Sequence, residues 1–211
     1  MTTIPLKAVI FDYGKVLARP QTGDDMAAMA RVAGMPADEM MRRYWRNRVA
    51  FDRGDMNIED YWHTVSPSLT SAQIAEIIRI DNESWLHPDP AMIRWAAALR
   101  AGGIRTGVLS NMPVTLRRRL ADGVDWLAGF DHYTFSCDVN LVKPEAAIYR
   151  HALAGLGVAA EDALFLDDRE ENIEGARRVG LHALLFHTPA QAHAEIAGRY
   201  ALPLIDAAAG G

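Results

Sequence analysis

The sequence reads as an α/β chain, a parallel sheet with crossover helices that is interrupted after its first strand by an all-helical insertion. Three observations point there. Short β-rich runs alternate with helical patterns through the second half of the chain, the rhythm of βαβ units. One further apolar run, Ala8-Val9-Ile10-Phe11, stands alone near the N-terminus. Between them, residues 19–88 form a stretch far too long for an ordinary connection and without a convincing strand.

The spacing predicts strands over 7–12, 105–110, 133–136, 163–167 and 182–186. Helices are expected over 113–121, 144–156 and 170–179, with Gly157 and Gly180 standing where helix stops belong. Asp89-Pro90 opens another helix that runs through Trp95 and Leu99 to Gly102-Gly103, its proline suited to a first helical position. Within the insertion, Asp24 and Asp25 are expected to cap a helix reaching Gly34. A second helix is expected over 36–51, a third over 58–65, and a fourth over 71–86 with Ile74, Ile77, Ile78 and Trp85 at helical spacing. Tyr44, Trp45, Tyr61 and Trp62 read as the insertion's own small core. Leu17-Ala18-Arg19-Pro20 and Trp85-Leu86-His87-Pro88 are the natural hinges, since a proline restricts the residue before it. The domains are therefore expected to be a core of residues 1–18 and 89–211 and a helical cap of residues 19–88. The Ala/Gly-rich tail after Asp206 reads as frayed.

Composition narrows the function. A chain of 211 residues, half of them hydrophobic, has the material for a sizeable core. A formal charge of −5 gives no general attraction to nucleic acid or to anionic membranes. Arg117-Arg118-Arg119 is the only dense basic run, and neighbours one apart on a helix point in different directions, so it reads as a solvated face. No apolar stretch approaches the ~18 residues needed to span a bilayer. The N-terminus leads directly into the first strand without a signal-peptide pattern, so a soluble cytoplasmic protein is expected. The single cysteine, Cys137, excludes an internal disulfide and reads as a buried, inert thiol. Asn82-Glu83-Ser84 matches a glycosylation acceptor by chance. His87, His132, His151 and His187 are scattered rather than spaced as metal ligands. Phosphate-loop, dinucleotide, zinc-protease and nucleophile-elbow motifs are all missing.

What remains is acidic and strand-terminal. Asp12 ends the first apolar run, with Gly14 two places on. Burying such a carboxylate costs several kcal/mol unless a cation or hydrogen-bond donors compensate. Ser110-Asn111, Lys143-Pro144 and Asp167-Asp168 supply that compensation. Singly, each is ordinary turn or capping chemistry. Their information lies in order and position, because ligands of open parallel sheets bind beyond the carboxyl ends of the strands.

Phe11-Asp12-Tyr13-Gly14-Lys15-Val16-Leu17, Val108-Leu109-Ser110-Asn111, Lys143-Pro144-Glu145 and Phe165-Leu166-Asp167-Asp168-Arg169-Glu170-Glu171-Asn172 resemble, in order, the four motifs of the haloacid dehalogenase-like hydrolase superfamily. The helical insertion resembles the cap of its first subclass. The resemblance implies a Rossmann-like, doubly wound parallel sheet and a Mg²⁺-dependent phosphatase acting on a small phosphorylated metabolite, such as a sugar phosphate. It makes Asp12 the nucleophile that forms an aspartyl-phosphate. Asp12, the Gly14 carbonyl and the Asp167/Asp168 pair, Asp168 foremost, would hold the Mg²⁺. Ser110 and Asn111 would bind phosphoryl oxygens, and Lys143 would balance the charge of nucleophile and phosphate.

One departure stands out. Most phosphatases of the superfamily carry a second aspartate at the place of Gly14, where it protonates the leaving alcohol, a contribution typically worth ~10²–10⁴ in rate. Lys15, His63 or Asp52 could replace it, the leaving group could be acidic enough to need no acid (a sugar 1-phosphate or an acyl phosphate), or turnover could be slow. A subgroup of sugar-phosphate phosphatases similar to this chain also has glycine there. Arg19, Arg48 and Arg53 could meet a substrate, though a solvated arginine is the commoner case. Two other readings stay open: a 2-haloacid dehalogenase on the same scaffold, and a binding module that has lost turnover. The Asp167-Asp168 pair favours the phosphatase, since adjacent carboxylates and an anionic haloacid would repel one another without a cation.

Overall fold

The computed structural model describes residues 3–205; the Ala/Gly tail after Asp206 lies outside them. Five parallel strands form one sheet in the order β3-β2-β1-β4-β5: β1 Ala8–Phe11, β2 Arg105–Ser110, β3 His132–Phe135, β4 Ala163–Asp167 and β5 His182–Leu185. The central strands are apolar along their length because helices cover both faces of the sheet. The pleat sends Val9 and Phe11 into one core, with Trp95 and Phe130, and Ala8 and Ile10 into the other, with Ile148, Tyr149 and Phe165. The strand order switches direction beside β1, so the ends of β1, β2 and β4 open on one crevice.

The crossover helices are α6 Pro90–Ala101, α7 Val114–Ala121, α9 Ala146–Leu156 and α10 Glu170–Arg178. Asp89 caps α6, accepting from the amides of Ala91 and Met92. Two short elements had no signal in the pattern. Ser136 does not end β3 but opens α8 (Ser136–Val139), because its hydroxyl is drawn between the Met112 amide and the Asp52 carbonyl. A final helix, α11 Pro189–Ile196, is capped by Thr188.

Residues 19–88 are helical and carry no strand: α1 Gly23–Ala33, α2 Ala37–Arg46, α3 Arg48–Arg53, α4 Ile58–Val65 and α5 Ser71–Ser84. Thr22, not Asp24 or Asp25, caps α1. Its hydroxyl accepts from the Asp25 amide while the Asp25 carboxylate accepts from the Thr22 amide, a capping box. The expected helix over 36–51 is two helices, broken at Asn47 (φ −115°, ψ 16°) with neither glycine nor proline to announce it. These helices bury a core of their own, including Met29, Tyr44, Phe51, Tyr61, Trp62 and Ile77, with Phe51 stacked on Tyr61 at 4.1 Å. Trp45 is a correction: it is 46% exposed and lies outside that core.

The two chain crossings at the hinges pair as one antiparallel bridge between Ala18 and Pro88, with Arg19 N to His87 O at 2.7 Å and Asp89 N to Leu17 O at 2.8 Å. The insertion is fastened beyond this hinge as well. Asn140 bonds the Arg53 carbonyl, Arg53 pairs with Glu145, and Arg119 pairs with Glu83 at 3.0 Å. No helix among the described residues is long and apolar enough to cross a membrane.

Candidate active site

Asp12 follows β1 and its amide bonds Leu166 O on β4 at 2.9 Å, which pins it to the sheet's carboxyl edge. Its Oδ1 accepts from the Tyr13 amide at 2.7 Å and lies 2.9 Å from Lys143 Nζ. Lys143 Nζ also donates to Asp167 Oδ2 at 2.6 Å. Asp167, the last residue of β4, is fully buried, and its Oδ1 accepts from the Arg169 amide and from Asn172 Nδ2, both at 2.9 Å. Asp168, partly exposed, pairs with Lys15 Nζ at 2.8 Å. The Asp12, Asp167 and Asp168 carboxylates each present an oxygen within 4.8 Å of the others.

Charge follows from this geometry. Burial pushes the Asp12 carboxyl up to about 7, and the neighbouring Asp167 and Asp168 push it the same way, while Lys143 pulls it down. Burial alone would lower Lys143; the attraction of Asp12 and Asp167 outweighs it and raises its pKa, so the ammonium stays charged. Three carboxylates facing two lysines leave the site one cation short. All-oxygen donors of that kind suit a hard divalent ion.

A cleft of about 420 Å³ opens over these groups and is lined by Asp12, Lys143, Asp168, Ser110 and Asn111 together with residues of the insertion. The sequence therefore named groups that do come together. What it did not show is how they are held. Asn111 clamps the Lys143 backbone through two hydrogen bonds, Nδ2 to Lys143 O at 3.1 Å and Lys143 N to Oδ1 at 2.8 Å. Gly175 on α10 lets the Lys143-Pro144 turn close in, since a Cβ there would fall 2.8 Å from Pro144. Lys15, in the turn after Asp12, holds a left-handed backbone (φ 62°), uncommon for a side-chain-bearing residue. Trp85, read from the sequence only as a helix and hinge residue, stands at the site. Its ring stands 3.1 Å from where a Cβ on Gly14 would project, so an aspartate at that position would require the indole to give way by a few tenths of an ångström.

The remaining candidates sort by position. His63 faces the Leu69 carbonyl at 3.2 Å and does not line the cleft. Arg19 is exposed; Arg53 is tied to Glu145. Arg117 pairs with Asp138 at 2.8 Å and Arg119 with Glu83, so two of the basic run serve as surface ties. Cys137 is half-buried rather than buried, and burial pushes its thiol up to about 12, leaving it protonated and unreactive. Asn82 of the sequon is buried against Thr115.

Arg48 is a second correction, because it is buried rather than solvated. Its Nε donates to Asp52 Oδ1 at 2.7 Å and its Nη1 bonds the Tyr44 hydroxyl and lies 3.7 Å from Asp81. Asp81 also accepts from Tyr44 at 2.7 Å and Gln21 at 2.9 Å. Burial raises Asp52 to about 6 against the pull of Arg48. Arg48 and Asp52 line the same cleft as Asp12, from the insertion side.

Comparison with known proteins agrees with the four ordered motifs. A sequence profile for haloacid dehalogenase-like hydrolases matches residues 6–180. The chain belongs to this family. It is 26% identical over 194 residues to a phosphatase of Mycobacterium tuberculosis, covering 85% of this chain and 87% of that protein. It is equally 26% identical over 181 residues to a sesquiterpene phosphatase of Aspergillus oryzae, covering 84% and 88%. A family enzyme of Bacteroides thetaiotaomicron, solved with magnesium and inorganic phosphate, superposes with a TM-score of 0.65 at 15% identity over 85% of this chain and 93% of that one. The L-2-haloacid dehalogenase of Xanthobacter autotrophicus, with chloropropionic acid covalently bound, gives 0.66 at 18% identity over 93% and 84%. At such identities these two structures speak for the fold, and this haloacid dehalogenase-like chain is a hydrolase with the family's architecture.

Proposed function

We propose that the chain is a Mg²⁺-dependent phosphatase of a small phosphorylated metabolite, working through an aspartyl-phosphate on Asp12. The observation that carries this is the cluster of Asp12, Asp167 and Asp168, three carboxylates within 4.8 Å that two lysines do not neutralise. Asp12, Asp168 and the Gly14 carbonyl would hold the ion. Asp167, also in the cluster, has both oxygens already engaged by Lys143, Arg169 and Asn172 and so works chiefly by fixing Lys143. When bound, Mg²⁺ supplies Lewis-acid screening between the nucleophile and the phosphate dianion.

The protein's own groups do the rest. Asp12 attacks phosphorus, the bond from phosphorus to the leaving oxygen breaks, and the leaving oxygen keeps the electron pair. Ser110 and the Asn111 amide hold phosphoryl oxygens, and Lys143 offsets the charge gathering at the nucleophile and the equatorial oxygens. Water then attacks the phosphorus of the aspartyl-phosphate and releases phosphate and Asp12. The helical insertion acts as the cap, closing the cleft against bulk water. With Gly14 under Trp85, no acid stands at the usual place, so leaving groups that depart without a proton are favoured.

The relatives named as phosphatases support this reading over a dehalogenase, as does the acidic cluster, which would repel a haloacid. The test is phosphate release from p-nitrophenyl phosphate. Activity with Mg²⁺, abolished by EDTA and by Asp12→Asn, is the expected result. Metal-independent halide release from 2-chloropropionate in its place would make the protein a dehalogenase.

A further inference from the structure

The floor of the cleft is polar, but the part that would surround a leaving group is not. Beyond the phosphate end it is walled by Trp45, Val49, Trp85, Met112, Pro113 and Leu116. Charged side chains from the insertion are confined to Arg48 and Asp52, and these are bonded to each other, with Asp81 and Tyr44 taking Arg48's other end; the Trp85 indole N–H adds a buried donor without a partner. The buried trio of Arg48, Asp52 and Asp81 carries two carboxylates against one guanidinium. It therefore offers neither a row of free hydrogen-bonding groups for sugar hydroxyls nor a net positive charge for a second anion.

A second observation points the same way. Five large apolar side chains are exposed among the described residues, and three of them, Met41 at 47%, Trp45 at 46% and Val49 at 50%, recur every fourth residue along α2 and α3. Two of those three line the cleft. Exposed apolar surface gathered at the mouth of a site is a binding feature far more than a folding one. A phosphate alone does not fill 420 Å³, and Trp45, Val49, Trp85, Met112 and Leu116 give much of the remaining wall an apolar surface.

From these walls we infer that the substrate is a phosphate monoester with an apolar leaving group, aryl or isoprenyl in character, seated between Trp85 and the Trp45–Val49 face. This rests on the phosphatase reading and replaces the sugar-phosphate expectation. Hydroxyls set against these apolar side chains would be left desolvated and largely unpaired, whereas an apolar group gains from the same walls. The covered Gly14 favours the aryl case, because an aryl oxide departs without a proton, whereas an isoprenyl alkoxide would have to take one from water.

The test is a panel assayed with Mg²⁺: acetyl phosphate, 1-naphthyl phosphate, geranyl monophosphate, glucose 1-phosphate and glucose 6-phosphate. The expected result is kcat/KM for the naphthyl or geranyl ester above both glucose phosphates by about 100-fold, the scale of a few buried apolar groups. Naphthyl ahead of geranyl identifies leaving-group acidity as the added factor; geranyl ahead identifies chain burial, and either order supports the inference. Val49→Asp, at a half-exposed position where folding is undisturbed, should lower the ratio of naphthyl to acetyl phosphate kcat/KM by about tenfold, with Val49→Leu restoring it. Acetyl phosphate turned over but glucose phosphates equal to or better than the apolar esters would overturn the inference alone. Silence on every ester, acetyl phosphate included, would overturn the phosphatase reading and this inference with it.

Discussion

Two buried clusters of the same composition sit on opposite sides of one cleft. In the core, Lys143 lies between Asp12 and Asp167; in the insertion, Arg48 lies between Asp52 and Asp81. Each joins one cation to two carboxylates, yet they are finished differently. The insertion cluster is closed by neutral donors, the Tyr44 hydroxyl and the Gln21 amide. Both border the cleft, but the core cluster faces a third carboxylate there, Asp168. An ionic group whose hydrogen bonds are complete is architecture; one left short of positive charge at a strand end is a place to bind a metal and a phosphate.

The largest difference between the clusters should appear in turnover. Asp12→Asn is expected to cut kcat by roughly 10⁴-fold or more, the usual penalty for removing a nucleophile, while circular dichroism and melting stay near wild type. Full activity in that variant would remove the core cluster from the chemistry.

Stability should not separate the clusters at all. Lys143→Met and Arg48→Met each strand two buried carboxylates, so each should cost about 3–5 kcal/mol in chemical unfolding. A loss below ~1 kcal/mol, the scale of a surface pair, at either site would show that its charges are solvated.

Mg²⁺ then distinguishes them. Bound to the folded state only, at tenfold over its Kd it should add about 1.4 kcal/mol to the unfolding free energy of the wild type. Asp168→Asn should abolish that gain, and Asp81→Asn should keep it. Equal protection of both variants would place the ion elsewhere.

The core cluster was largely legible in the chain, and the insertion cluster was not. Asp12, Ser110 and Asp167 stand at the ends of apolar runs, and a parallel sheet leaves such ends only one edge to share. Arg48, Asp52 and Asp81 carry no such marker, because Arg48 on α3 reaches Asp81 on α5 through tertiary folding after an unannounced break at Asn47. The same holds for Trp85 over Gly14 and for Asn111 clamping Lys143, contacts between residues 71 and 32 positions apart that no local pattern encodes.

A pH slope from Asp52 is expected as well. Its folded pKa of about 6 exceeds the ordinary 3.8, so the folded state binds this proton more tightly than the unfolded chain does. Ionisation therefore costs stability: the contribution is most favourable below 3.8, falls as pH rises toward 6, and stays at its minimum above. Wild type measured against Asp52→Asn should lose roughly 1–3 kcal/mol of relative stability between pH 4 and 7. A flat difference would mean that Arg48 keeps Asp52 ionised throughout.

The most direct measurement is a rapid acid quench of the enzyme mixed with Mg²⁺ and acetyl phosphate radiolabelled at phosphorus. Label should be trapped on Asp12, turning over in step with phosphate release, and absent both in Asp12→Asn and in EDTA. Label on another residue, or phosphate release that continues undiminished in Asp12→Asn, would contradict an aspartyl-phosphate at this site.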